Sequence, residues 1–214
     1  MIPLCLHKKN LGFTLVELLV AMTLGLVLLG SVLKILVSQN RTNAVQQEVA
    51  YAQQNARAAM DLMVREIRNA GHNPANGNVE AIVTAEGTKI QVQADYSDPD
   101  GDGHPEGNGN ATDPNEDVTY TVDDTDPLNK TLTRNGFSIV DNLEGIQFGY
   151  VLVDGTMLNP PGAPLTPTQR EDIRGVLIGM SVRTENRDPD TGQYRYRTLI
   201  NAVRVRNMGF QDIE

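Results

Sequence analysis

The sequence has few of the residues on which disulfides, many enzyme sites and nucleic-acid interfaces depend. It contains one cysteine, Cys5, and no tryptophan among 214 residues. A single cysteine excludes an intramolecular disulfide. Lysine and arginine number 18 against 27 acidic residues, and the net charge is -9. Because the sequence holds no dense run of basic residues, we expect no nucleic-acid partner.

The sequence also lacks a recognisable catalytic constellation. Its three histidines are His7, His72 and His104, and no Ser-His-Asp, zinc or Gly-rich phosphate-binding pattern has two convergent elements. We therefore expect a protein that is not an enzyme. The length allows one domain of ordinary size plus an extended element.

An apolar run of 25 residues, Phe13 to Val37, follows the basic pair Lys8 and Lys9. At 1.5 Å per residue a helix of this length covers roughly 37 Å, enough to cross a hydrocarbon core of about 30 Å with tilt. The run is longer than the apolar core of a secretory signal, and no small-x-small cleavage site follows it. These features predict one membrane-spanning helix, and the acidic chain after it favours an N-terminus inside.

One acid, Glu17, interrupts the apolar run near its start. A carboxylate at the centre of a bilayer costs about 2.5–3.5 kcal/mol, and less near an interface. Thr14 and Glu17 have the spacing of a capping box, in which the glutamate returns to the backbone of the cap residue. Alternatively, the acid pairs with a cation that a partner supplies. The spacing is compatible with both interpretations.

The stretch KKNLG followed by FTLVELLVAMTLGLVLLG resembles the N-terminus of type IV pilins and pseudopilins. The resemblance implies a leader of residues 1–12 that a prepilin peptidase removes by cutting after Gly12. It also implies N-methylation of Phe13 and identifies Glu17 as the acid at the fifth mature position. The partners it implies are the peptidase/methyltransferase, an inner-membrane assembly platform, and other major and minor pilin-like subunits.

Cleavage would create an ammonium group on Phe13, one helical turn from Glu17. In a filament, Glu17 of one subunit could meet the ammonium of its neighbour, and poor solvation would strengthen this assembly charge pair. Ala21 and Gly25 form a small-x-x-x-small pattern, which favours close helix approach or arises from composition alone.

Residues 38–71 predict an amphipathic continuation of the helix. Apolar residues recur at spacings of three and four, namely Val45, Val49, Ala52, Ala56, Met60, Met63 and Ile67. No proline occurs before Pro74, and Gly71 suits a C-cap. The pattern predicts one helix of nearly 60 residues from the membrane-spanning stretch 13–37 onwards. The alternative is two helices that break near Gln39 and Asn40.

Residues 72–214 predict a globular β-rich domain. Alternating runs such as TKIQVQAD, EDVTYTVDD and GVLIGMSVRTE indicate an antiparallel sheet of about five to seven strands packed on the exposed helix. A phase slip near Leu199 predicts a bulge in the last strand. The fold class is therefore α+β and pilin-like. The C-terminal runs look similar to the minor pilin W subfamily and to pseudopilin J of type II secretion.

An acidic loop, residues 95–117, contains the first half of an EF-hand pattern. Asp98, Asp100 and Asp102 supply oxygen ligands at alternate positions before Gly103, and Glu106 is a further candidate ligand. The twelfth position is not glutamate. The loop is therefore either a looser calcium site, completed by a set drawn from Asn108, Asp113, Glu116 and Asp117, or a solvated acidic segment. No other cofactor is predicted.

The first functional hypothesis is a minor pilin that helps to initiate type IV pilus assembly and enters the fibre at or near its tip. The alternatives are a minor pseudopilin of a type II secretion system and a membrane-anchored, calcium-dependent adhesive module. The resemblance implies a single-pass protein of the inner membrane with its C-terminal domain in the periplasm, which then moves to the pilus fibre and cell surface.

Overall fold

A computed structural model describes residues 14–96, 107–113, 115–160 and 163–208. The first element, α1, runs without interruption from Leu15 to Asn69. One long helix is therefore confirmed, and the alternative with a break near Gln39 and Asn40 is wrong. The helix ends before Gly71, whose φ of +77° suits a residue without a side chain.

The chain divides into two compact units, residues 1–46 and 47–214. The described part of the first unit is helical from Leu15 onwards. The second unit contains the rest of α1 and all the strands of the described residues. The later elements are β1 Ile82–Ala85, β2 Lys89–Gln93, β3 Asp117–Asp123, β4 Thr131–Arg134, β5 Phe137–Val140, β6 Leu143–Leu152, β7 Met157–Leu158, α2 Pro167–Glu171, β8 Ile173–Arg183 and β9 Tyr196–Arg204.

The strands form two antiparallel sheets. The first has the order β1-β2-β3-β4-β5, and the second has the order β7-β6-β8-β9. The prediction of one sheet with five to seven strands is therefore wrong in number, although the antiparallel arrangement is confirmed. The chain leaves the first sheet through Asp141 and Asn142, and the φ of +55° at Asn142 redirects it into β6, which pairs with β7 and β8.

The predicted bulge near Leu199 is also wrong. Strand β9 pairs with β8 in unbroken register from Tyr196 to Arg204. The apparent phase slip has another cause: Leu199 and Val203 point towards the core, whereas Ile200 points outward and is 76% exposed. Because the outer face of the second sheet is open to solvent at this position, an apolar residue on that face of β9 needs no change of register.

One hydrophobic core lies between the second half of α1 and the sheets. The predicted stripe is confirmed in part: Ala56, Met60, Met63 and Ile67 are buried, and Ala52 packs at the margin. The predicted inward faces of the strands are buried as well, including Ile90 and Val92 on β2, Val118 and Tyr120 on β3, Phe148 on β6, and Val176, Ile178 and Met180 on β8.

Candidate functional site

The start of α1 is closed by a capping box between Thr14 and Glu17. The backbone N–H of Thr14 donates to Oε2 of Glu17 at 2.9 Å, and the Thr14 hydroxyl donates to the same oxygen at 3.0 Å. The backbone N–H of Glu17 donates in return to Thr14 Oγ1 at 3.2 Å. The capping interpretation of the Thr-x-x-Glu spacing is confirmed.

The capping box leaves part of the carboxylate available. Both bonds to the Glu17 side chain go to Oε2, and among the described residues Oε1 has no hydrogen-bond partner. The side chain is exposed. Glu17 can therefore accept a further donor without opening the box. Gly12 and Phe13, the predicted cleavage and methylation site, lie outside the described residues, so the charge pair stays a prediction.

An exposed apolar surface follows the capped start. Every described residue from Thr14 to Ala44 is exposed except Gly25, which is half-buried. The exposed fraction of the large apolar side chains in this stretch ranges from 49% at Leu36 to 75% at Leu15. A surface of this size is not maintained in water by a soluble monomer, so it indicates a partner or a lipid environment.

Two hydroxyl groups within the apolar part of this stretch form hydrogen bonds to the backbone of their own helix. The hydroxyl of Thr23 donates to the carbonyl oxygen of Val20, and that of Ser31 donates to the carbonyl oxygen of Val27, both at 2.9 Å. Such local bonds remove the cost of placing a hydroxyl in an apolar environment. Among the described helices, α1 is the one long and apolar enough to cross a membrane, judged by length and composition.

The predicted small-residue pattern lies on an open part of the helix. A Cβ atom added to Gly25 would meet nothing within 4 Å. A second helix could therefore approach this position closely, and the close-approach interpretation of the pattern stays a prediction.

The four predicted calcium ligands, Asp98, Asp100, Asp102 and Glu106, lie outside the described residues. The rest of the acidic loop is tied down by its own hydrogen bonds. Asp95 accepts the backbone N–H groups of Asn108 at 3.1 Å and Gly109 at 2.8 Å, and Glu116 accepts that of Tyr96 at 2.8 Å. Among the described residues no group of three or more acidic, histidine or cysteine side chains could hold a metal.

A polar cluster between α1 and the first sheet was not predicted. The carboxylate of Glu66 accepts Nη2 of Arg134 at 2.8 Å and Nε at 3.2 Å, and it also accepts the hydroxyl of Tyr120. Burial and the Glu66 carboxylate raise the pKa of the Tyr120 phenol, and the same carboxylate raises the pKa of Arg134. The only sequence signal was that Glu66 directly precedes Ile67 of the apolar stripe.

Comparison with known proteins identifies the N-terminal segment. Residues 7–33 match the family model of the prokaryotic N-terminal methylation motif. No curated protein matches the chain. The matched residues include Gly12, Phe13 and Glu17 and the first turns of α1. The match supports a type IV pilin-like or pseudopilin-like protein, and it indicates a structural subunit with a membrane anchor.

Proposed function

We propose that the chain is a minor pilin of a type IV pilus, a structural subunit that helps to initiate assembly and is incorporated at or near the tip. The observation that carries the proposal is the exposed apolar surface of α1 behind an accessible carboxylate, within a segment that matches the methylation motif. Such a helix needs a membrane before assembly and neighbouring helices after it.

The proposed mechanism has two stages. Before cleavage the capping box satisfies Oε2 of Glu17 at the start of the helix. Cleavage after Gly12 would create an ammonium group on Phe13, and Oε1 of Glu17, which has no hydrogen-bond partner among the described residues, would accept a hydrogen bond from such a group on a neighbouring subunit. An unpaired charge in an apolar environment is costly, so the pair would favour the subunit register that brings both groups together.

Substitution of Glu17 tests this mechanism. Glu17→Ala should leave membrane insertion and cleavage intact but reduce incorporation into filaments at least tenfold, which corresponds to about 1.4 kcal/mol. Glu17→Gln is the matched variant because glutamine keeps the capping-box acceptor and loses the charge. The amount of protein in sheared filaments and in membranes is measured by immunoblotting.

The two variants separate charge from capping. If Glu17→Gln is incorporated as poorly as Glu17→Ala, the charge is required. If Glu17→Gln assembles normally while Glu17→Ala does not, the carboxylate acts through the cap alone. Normal incorporation of both variants would contradict the proposed role of Glu17.

A further inference from the structure

Four arginines line one open concavity of about 830 Å³ at one end of the 47–214 unit: Arg68, Arg174, Arg204 and Arg206. They come from the last turn of α1, the start of β8, and the end of β9 together with the segment just after it. Backbone bonds hold these segments together, since Arg206 N–H donates to Arg68 O and Val205 N–H donates to Arg174 O, both at 3.1 Å. The fold therefore brings together arginines from three distant regions of the sequence.

None of the four arginines forms an ion pair with a carboxylate of the described residues. The guanidinium of Arg174 donates instead to the carbonyl oxygens of Glu171 at 2.7 Å and Ile173 at 3.0 Å. Guanidinium groups bind carboxylates with planar, two-pronged geometry. Four of them around one concavity, in a chain of net charge -9, indicate an anionic ligand with several carboxylates.

The opposite end of the same unit carries an acidic turn, residues 123–129. Strand β8 runs between the two ends, with Arg174 and Arg183 roughly 30 Å apart at 3.3 Å per residue. Arg183 fixes the turn, because its Nη2 donates to Leu128 O and to Asn129 Oδ1, the latter at 3.3 Å. The turn exposes three carboxylates and one large apolar side chain: Asp123, Asp124, Asp126 and Leu128.

The acidic turn is held in one conformation by its own aspartates. Asp123 accepts the hydroxyl of Thr125 at 2.7 Å, and Asp126 accepts the backbone N–H of Leu128 at 2.9 Å. These bonds lower the pKa of both carboxyls, which therefore stay ionised. Leu128 is 79% exposed at the tip. A preordered, charged turn loses little conformational entropy when it binds.

We infer that copies of this chain associate head to tail, with the acidic turn of one copy seated in the arginine concavity of the next. The three carboxylates are complementary in charge to the guanidinium groups. Leu128 would contact the apolar lining that Ala202 and Met208 provide. Because the two surfaces lie at opposite ends of the unit, the contact is heterologous and builds linear chains. The inference does not depend on the proposed pilus role.

The test is self-association of the purified full-length chain in detergent, measured by sedimentation at low and moderate salt. The concavity variant is Arg204→Gln with Arg206→Gln, and its control is Arg57→Gln with Arg65→Gln on the exposed side of α1. The turn variant is Asp124→Asn with Leu128→Ser. We expect wild-type association to weaken at least tenfold in the concavity and turn variants, and to weaken between about 0.05 M and 0.3 M salt.

A mixture of the two variants gives the decisive result. Each variant keeps one intact surface, so the mixture should form dimers but no longer chains, whereas each variant alone stays monomeric. Several outcomes would overturn the inference: a wild-type chain that is monomeric at low salt, a control variant that loses association equally, or a mixture without dimers. If neither the concavity variant nor the turn variant weakens association, the chains associate through the apolar helix, and the inference is overturned.

Discussion

At the scale of single residues, local spacing predicted the capped start and could not predict the polar cluster. Thr14 and Glu17 lie three residues apart, so helix geometry alone brings them into contact. Glu66 and Arg134 are separated by 68 residues, and only the folded sheet brings them together. The same limit applies to the predicted partner of Glu17, because Phe13 would acquire an ammonium group only after the proposed cleavage.

Removal of the Glu66 carboxylate should destabilise the 47–214 unit. Glu66→Ala leaves the guanidinium of Arg134 and the hydroxyl of Tyr120 without their acceptor, and both partners of the ion pair are largely buried. We expect a loss of about 2–4 kcal/mol in the free energy of unfolding, measured by urea denaturation. The exposed Asp61→Ala on the same helix should cost less than about 0.5 kcal/mol. Equal losses in both variants would show that the cluster contributes nothing.

Burial raises the pKa of the Tyr150 phenol well above its ordinary value of about 10. In the unfolded chain this phenol ionises near pH 10, whereas the native state retains the proton. The unfolded state then binds fewer protons, so stability is unaffected below that pH and falls above it.

We therefore expect the free energy of unfolding to decrease above about pH 10, and to decrease less steeply in Tyr150→Phe. Urea denaturation at a series of pH values measures this slope. Tyr51 is exposed, so Tyr51→Phe should leave the slope unchanged. An identical slope in Tyr150→Phe and wild type would contradict the assignment.

At the scale of secondary-structure elements, the periodicity of apolar residues predicted the long helix and the longer strands. The three-and-four spacing marked the second half of α1, and alternation marked β2, β3, β6 and β8. Strands β1, β5 and β7 have two to four residues, too few for a period to show. The false bulge in β9 arose because an outward-facing isoleucine has the same hydrophobicity as an inward-facing one.

The position of the apolar stripe on α1 predicts that a methionine-to-alanine substitution lowers the free energy of unfolding at one position and not at another. Met63 is fully buried in the core, whereas Met22 is 61% exposed on the apolar surface. Met63→Ala should lower the free energy of unfolding by about 2–5 kcal/mol through lost burial and a cavity. Met22→Ala, the matched control, should leave it unchanged within about 0.5 kcal/mol. Thermal unfolding followed by circular dichroism measures both, and a small effect at Met63 would contradict the assigned core.

At the scale of the whole molecule, the two halves of the chain have different requirements. The second unit buries most of its large apolar residues in one core, although a few, such as Leu128, Phe137 and Ile200, stay exposed. The described part of the first unit, residues 14–46, exposes nearly all of its apolar side chains and needs lipid or neighbouring helices. The apolar run at 13–37 and the amphipathic and alternating patterns after it predicted this contrast. The division into two sheets and the gathering of four arginines depend on long-range pairing, which no local pattern encodes.

The central claim is that the apolar helix becomes an assembly element after cleavage at Gly12. The most direct measurement is mass spectrometry of the N-terminus of the protein recovered from sheared filaments of cells with an active prepilin peptidase. The account predicts a chain that begins with methylated Phe13 and co-purifies with other pilin-like subunits. A chain that retains residues 1–12, or one that is absent from the filaments, would contradict it.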